Sequence, residues 1–390
     1  MHDISTVERR RRLQTRQLLT PAGRKLDVVE VAYAIVALHA TDPATVYLSA
    51  WARMSAPTLE KIGKAMYDDK RLIRIMGMRR TMFVVASELA PVVQASSSLG
   101  VAATQRRKLV ADLQRAGIDD ADRFLGSVST STLQALRGRG RASAIDLVLD
   151  EPRLGTVLDL APDKSYAAPQ KITSRVLTIL ALEGAIVRGR PLGGWTANRN
   201  ERWPAEAWLP DGLGALDVTD ARIELVRRWL ETFGPAPLTD LVWWTGWTLG
   251  QVRTALEGVV TVEVQLDGAV GVALMDDLDP TAEPEPAAAL LPALDPSPMG
   301  WLQRDFFLGD HRPKLFDRTG NIGPTVFWQG RVVGGWAQRQ DGEIRTALLE
   351  DIGAAGSAAV EARAAELADW LGPLRFTPRF RTPLERELSA

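Results

Sequence analysis

One local pattern recurs three times along this chain. A helix-like segment ends in a small turn, and two short strands rich in β-branched residues follow. The copies are PTLEKIGKAMYDDKRLIRIMGMRRTMFVV at 57–85, APQKITSRVLTILALEGAIVRGRPLGGWTA at 168–197 and PLTDLVWWTGWTLGQVRTALEGVVTVEVQLDGAVGVAL at 237–274. In each, apolar residues at helical spacing give way to period-two alternation around a turn. Ile172, Val176, Ile179 and Leu180 form the helical stripe of the second copy. Val260, Val262 and Val264 mark a strand of the third, with Asp267-Gly268 as its hairpin turn.

Helices followed by a two-stranded wing make the winged form of the helix-turn-helix unit. There, one helix lies in or beside a groove while the hairpin reaches the backbone. The spacing is irregular, which indicates domain duplication and not a solenoid. A single copy would also suit a helix-plus-hairpin with no DNA role. The first two wings are basic (Arg74, Arg79, Arg80; Arg188, Arg190), whereas TVEVQLDGAVG has no basic residue and reads as structural.

After residue 275 the character changes. DDLDPTAEPEPAAALLPALDPSPMG is Pro- and acid-rich and reads as a linker. Strand-like segments follow around Gln329-Gly330 and Asp341-Gly342, suggesting a small β-barrel or curled sheet. An amphipathic helix at AAVEARAAELADWLG stops at Gly372-Pro373. The tail LRFTPRFRTPLERELSA alternates aromatic and basic residues, which suits either base stacking with phosphate contact or a solvated edge strand. The expected fold is α+β, mainly α: three tandem winged-helix domains at 1–100, 101–212 and 213–275, then a β-barrel-like domain at 276–390.

The net charge of −1 argues against a uniformly basic nucleic-acid binder, but the distribution is uneven. Residues 1–26 hold seven Arg/Lys against two acidic residues, and residues 254–303 hold no Lys or Arg. A neutral total therefore allows a basic face and an acidic back. With no cysteine, disulfides, zinc–thiolate sites, iron–sulfur clusters and cysteine nucleophiles are excluded. No leader peptide and no membrane-spanning run is read, so a cytoplasmic, nucleoid-associated protein is expected. Dinucleotide, P-loop, HExxH and EF-hand patterns are absent, and GRGRAS at 138–143 reads as a loop. No metal or organic cofactor is implied. Trp243, Trp244 and Trp247 fall at helical spacing and read as core anchors.

The chain has three histidines, His2, His39 and His311, and one stands in ALHATDPATVYLSAWAR at 37–53. Helical spacing predicts Val31, Ile35 and Leu38 on a buried side, with the helix ending near Ala40. Asp42-Pro43 predicts the start of the next, with aspartate as N-cap and proline at the first helical position. Such a junction aims His39 and Thr41 into one cleft. His39 can take a proton or position water, and Thr41 can hold the same water. A histidine that merely suits the end of a helix dipole is the plainer alternative.

These stretches resemble the AlkZ/YcaQ-type DNA glycosylases. ALHATDPATVYLSAWAR with MRRTMFVVASELAPVV resembles the family's signature, and WLETFGPAPLTDLVWWTG its third wing unit. LLPALDPSP, NIGPTVFWQGRVVGGWAQR and RFTPRF resemble its C-terminal barrel. The resemblance implies winged-helix domains and a barrel wrapped around duplex DNA. It also implies excision of alkylated purines such as 7-alkylguanine and 3-alkyladenine, including bulky or crosslinked adducts. Where the family has glutamine, an apolar residue, then glutamine or aspartate, this chain has His39, Ala40 and Thr41.

His39, Thr41 and Asp42 are therefore the candidate catalytic residues. Asp42 either adds negative charge near an oxocarbenium or simply caps the next helix. Arg53, Lys61, Lys64, Arg71, Arg74, Arg79, Arg80 and Thr81 of the first unit are candidate DNA contacts. Lys171, Arg175, Arg188 and Arg190 of the second join them. A monomer acting on alkylated duplex DNA, without a lyase step, is expected. A non-catalytic DNA-binding regulator or damage sensor is the alternative, and a protein-interaction scaffold a third reading.

Overall fold

The computed structural model describes residues 2–159, 169–210 and 212–390. Ala168, where the second recurring segment begins, lies outside the described residues. The chain divides into two compact units: Met1–Leu72 with Phe83–Ala86 and Arg222–Ala390, and Ile73–Met82 with Ser87–Ala221. The architecture is α+β, and the division into four domains is finer than these two units.

Each recurring segment contains a helix followed by two strands. They are Leu59–Tyr67 with Leu72–Met76 and Met82–Ala86, then Thr173–Leu182 with Ile186–Pro191 and Asn200–Pro204, then Leu249–Glu257 with Thr261–Leu266 and Ala269–Leu274. The Asp267-Gly268 turn joins the last pair, with Gly268 at φ 90°. The third hairpin gains a parallel edge partner from the far end of the sequence: His2 and Asp3 pair with Val264 and Gln265. Ile4, Val264, Leu266 and Ala273 pack beneath it.

The C-terminal region is an open antiparallel sheet, which corrects the expected barrel. Its order is Ala288–Leu291, Thr325–Trp328, Arg331–Gln338, Ile344–Leu348, and the first and last strands do not pair. The predicted linker is corrected as well. Its AALL stretch is the first, fully buried strand of this sheet, and Asp295 and Ser297 beyond it are wholly buried. A strand buried on both faces shows no alternation for sequence periodicity to detect. Tryptophan anchors the sheet, with Trp336 donating its indole N–H to the Leu291 carbonyl at 2.9 Å. A contiguous aromatic row, Trp229–Phe233–Trp301–Phe307, continues the first unit's core with centroid spacings of 5.2–5.6 Å. Trp244 and Trp247 are buried, whereas Trp243 is half-buried.

The acidic half of the predicted linker is latched to the basic first helix, Thr6–Arg16. Arg12 pairs with Glu8 and Asp277, Arg16 with Asp277, and Arg11 with Glu283. Arg11, Arg12 and Arg16 are thus neutralised within the first unit.

The second unit is built on the helices Leu99–Arg115, Ala121–Arg139 and Ala144–Asp150, with the recurring helix Thr173–Leu182. Ile172, Val176, Ile179 and Leu180 are buried as the stripe predicts, against Leu109, Leu113, Leu125 and Val128. GRGRAS holds a helix end and a helix start. Gly140 at φ 74° ends one helix, and Ser143 with Asp146 forms a capping box on the next.

Candidate active site

The helix before the motif ends at Ala34, six residues earlier than its periodicity predicts. Val36 then adopts φ 67°, and Leu38–His39 runs as a short strand against Val84 and Phe83. His39 is therefore not the last-turn residue of a helix. The apolar run continues unbroken because a buried strand and a buried helix bury the same residue types: Val31, Ile35 and Leu38 are all fully buried.

The next helix, Pro43–Arg53, starts as predicted. Asp42 is its N-cap, accepting the Ala44 N–H at 3.1 Å. His39 is 5% exposed and meets Phe83 edge-on at 5.5 Å between ring centroids. Its Nδ1 accepts the Thr41 N–H at 3.5 Å. Thr41 is half-buried.

One residue of this neighbourhood escaped sequence reasoning. The second Asp42 oxygen accepts the backbone N–H of Arg379 at 2.8 Å, and the Arg379 guanidinium reaches the Thr41 carbonyl at 3.5 Å. The aromatic–basic tail thus lies against the motif. It is neither an edge strand nor a loose arm: Phe376 packs edge-on against Trp336, and Pro383–Leu388 closes the chain as a helix. The alternation of Phe and Arg marked the tail as unusual, but no spacing links residue 379 to residue 42. Burial pushes the Asp42 carboxyl above its ordinary value, opposed by the Arg379 and Ala44 amides and the Arg379 charge. Both carboxylate oxygens are engaged by backbone donors, so Asp42 does cap the helix.

The candidate DNA contacts separate sharply. Arg53 is corrected: it is wholly buried and ion-paired with Asp295 at 2.7 Å, which removes it from any DNA surface. Lys61 is exposed and donates to the Ala56 carbonyl, while Lys64 pairs with Asp69 and Arg71 with Asp27. In the second unit, Arg175 pairs with Asp112, and Lys171 and Arg190 are exposed. Arg74 and Arg188 are drawn into one cluster with Arg202, which sequence reasoning also missed. Arg79 and Arg80 occupy the two central positions of the turn between the strands of the first recurring segment, at φ 52° and 58°, closed by the Thr81 N–H on the Met78 carbonyl. That geometry normally selects Asn or Gly. Each non-glycine residue held there costs roughly 1–2 kcal/mol. Burial pushes Arg79 down to about 10. Among the described residues no group of three or more His, Asp or Glu side chains suits a metal ion, and no helix is long and apolar enough to cross a membrane.

The chain belongs to the AlkZ-like DNA glycosylase family, whose model, described as DNA glycosylase AlkZ-like, matches residues 32–370. Among solved structures it is similar to the Streptomyces sahachiroi DNA glycosylase AlkZ. The TM-score is 0.73 at 21% identity, covering 96% of this chain and 100% of that one. At that identity the likeness speaks for the fold. The comparison with curated proteins returned no match.

Proposed function

We propose that the chain is a monofunctional glycosylase that hydrolyses the bond between an alkylated purine and its deoxyribose in duplex DNA. The observation that supports it most is the junction at residues 39–42, where a buried imidazole, a half-buried threonine and a capping aspartate stand within four residues in a member of a glycosylase family. An alkylated purine carrying positive charge is already a good leaving group, so little acid catalysis on the base is needed. The demand is to stabilise the charge that develops on the sugar and to place one water against its anomeric carbon. His39 positions that water and takes the proton it loses on attack, Thr41 supplies a second hydrogen bond, and the Asp42 carboxylate, while it caps the helix, contributes negative charge. No lysine stands in the motif, so no Schiff base and no lyase step is expected.

The test is base release from a duplex carrying a single 7-methylguanine, with alkali revealing abasic sites. Wild type is compared with His39→Ala and His39→Gln. Release by the wild type, a fall of roughly 10²–10⁴-fold in His39→Ala and partial rescue by His39→Gln are expected. Tight duplex binding with no release by the wild type favours the non-catalytic reading, a DNA-binding regulator or damage sensor.

A further inference from the structure

The tail that lies against the motif carries three arginines, and they are held unequally. Arg375 is tied down through every nitrogen: Nε donates to the Gln340 carbonyl at 3.1 Å, Nη1 to those of Gly372 and Leu374 at 2.8 and 2.9 Å, and Nη2 to that of Asp341 at 2.6 Å. Arg381 donates through Nε to the Glu385 carboxylate and through Nη2 to the Ser389 hydroxyl. Arg379 is exposed, and its side chain makes one long hydrogen bond, from Nη1 to the Thr41 carbonyl at 3.5 Å. Its Nε and Nη2 have no hydrogen-bond acceptor among the described residues, and its charge forms no ion pair with them. The remaining contact is a loose one with the Phe380 ring, 5.6 Å from the centroid.

The backbone that carries this side chain is fixed. The Asp42 carboxylate accepts the Arg379 N–H at 2.8 Å. The Gln338 side chain accepts the Phe376 N–H at 3.1 Å and donates to the Leu374 carbonyl at 2.9 Å. Pro378 and Thr382, on either side, are buried. The other end of the contact is the candidate site itself: Thr41 gives its carbonyl to Arg379 and its N–H to His39 Nδ1. One residue of backbone therefore links the guanidinium to the imidazole.

The carboxylate that senses this charge is Asp42, and both of its oxygens already hold backbone N–H groups. Without an anion of its own, the guanidinium would offset the negative charge that Asp42 brings to the developing sugar cation. The substrate supplies that anion. The sugar under attack carries a phosphodiester on each side, and a guanidinium fork matches phosphate oxygens two at a time. We propose that Arg379 binds a phosphate flanking the damaged nucleotide and so holds its sugar against His39 and Thr41. This rests on the glycosylase reading. Phosphate contacts position DNA without reading its sequence, which suits an enzyme that meets its lesion in any sequence.

The test uses the full chain and a duplex carrying one 7-methylguanine, with a methylphosphonate in place of the phosphate on the 5′ or the 3′ side of the lesion. Duplex binding and single-turnover release of the free base are both read. Arg379→Met keeps the amide that Asp42 accepts. It is expected to slow release roughly tenfold to hundredfold, with Arg379→Lys restoring part of the loss. It should also flatten the slope of log binding constant against log salt by about 0.9. In the wild type, one of the two methylphosphonates should reproduce the loss, and adding Arg379→Met should then cost nothing more. Undiminished release from both methylphosphonate duplexes by the wild type overturns the proposal, and that arm needs no variant to fold. Losses that multiply overturn it too, and in either case the glycosylase reading stands. Binding without release removes that reading; coupled losses in the binding constants then support the phosphate contact, and independent ones overturn it. Absence of duplex binding overturns both.

Discussion

Removal of the Asp295 carboxylate tests how the helix that begins at Asp42 is held. In the wild type, Asp295 Oδ1 accepts Arg53 Nη2 at 2.7 Å and the Ser297 N–H at 2.9 Å. Oδ2 accepts Arg53 Nη1 at 2.9 Å and the Ser49 hydroxyl at 2.6 Å. Both side chains are wholly buried. Asp295→Ala leaves the guanidinium to the Gln17 and Ser49 carbonyls and the Ser297 hydroxyl, with its charge unbalanced. Breaking a buried pair from one side costs about 3–5 kcal/mol. For a unit of this size each kcal/mol lowers the midpoint by roughly 2–4 °C, so a fall of roughly 6–20 °C is expected. Arg53→Met/Asp295→Leu removes both charges and should cost less than Asp295→Ala, about 1–3 kcal/mol for the serine and backbone donors left behind. Scanning calorimetry with urea unfolding of the singles and the double completes the cycle. A loss below about 1 kcal/mol in Asp295→Ala, or strict additivity, would refute the buried-tie account.

Three further outcomes are expected. Burial pushes the Asp240 carboxyl up to about 6, against the Gln303 and Leu302 amides and the charges of Arg9 and Arg304. Because the folded value is raised, its contribution to stability is full below about pH 4 and is lost as pH rises through 6. Asp240→Asn should therefore remove about 2 kcal/mol of the difference in urea stability between pH 4.5 and pH 7.5, and identical pH profiles would refute this. Asp42→Ala removes a helix cap worth about 1 kcal/mol together with the acceptor of the Arg379 amide, so trypsin should cut faster after Arg379 and Arg381; unchanged cleavage counts against the tethered tail. Gly330 sits at φ 74° where a Cβ would lie 2.6 Å from the Arg10 carbonyl. Gly330→Ala should therefore cost at least about 1 kcal/mol, read as a lowered thermal midpoint.

Features set by local chemistry were legible in the sequence. Asp-Gly and Gln-Gly turns lie between strands, Asp42-Pro43 starts a helix, and Gly372 stops one, because each requirement is met within a few residues. Features set by distant partners were not. Arg53 reads as a surface charge until Asp295, 242 residues away, is brought to it. The AALL strand reads as linker because both of its faces are covered. The helix ending at Ala34 was overextended because Leu38–His39 becomes a strand only through Phe83 and Val84. The candidate site was legible as a motif, since His39, Thr41 and Asp42 are nearly contiguous. Arg379 and Arg202 were not, because only the folded chain sets them beside the residues they serve.

The latch between the first helix and the acidic segment has a consequence for how the chain is made. Arg12 and Asp277 are separated by 265 residues. At synthesis rates of about 5–20 residues per second, roughly 15–50 s pass before the helix meets its counter-charges. The second unit is closed by residue 221, well before the first can be completed. On the ribosome, the arginine-rich first helix therefore waits on the nascent chain until its acidic clasp emerges.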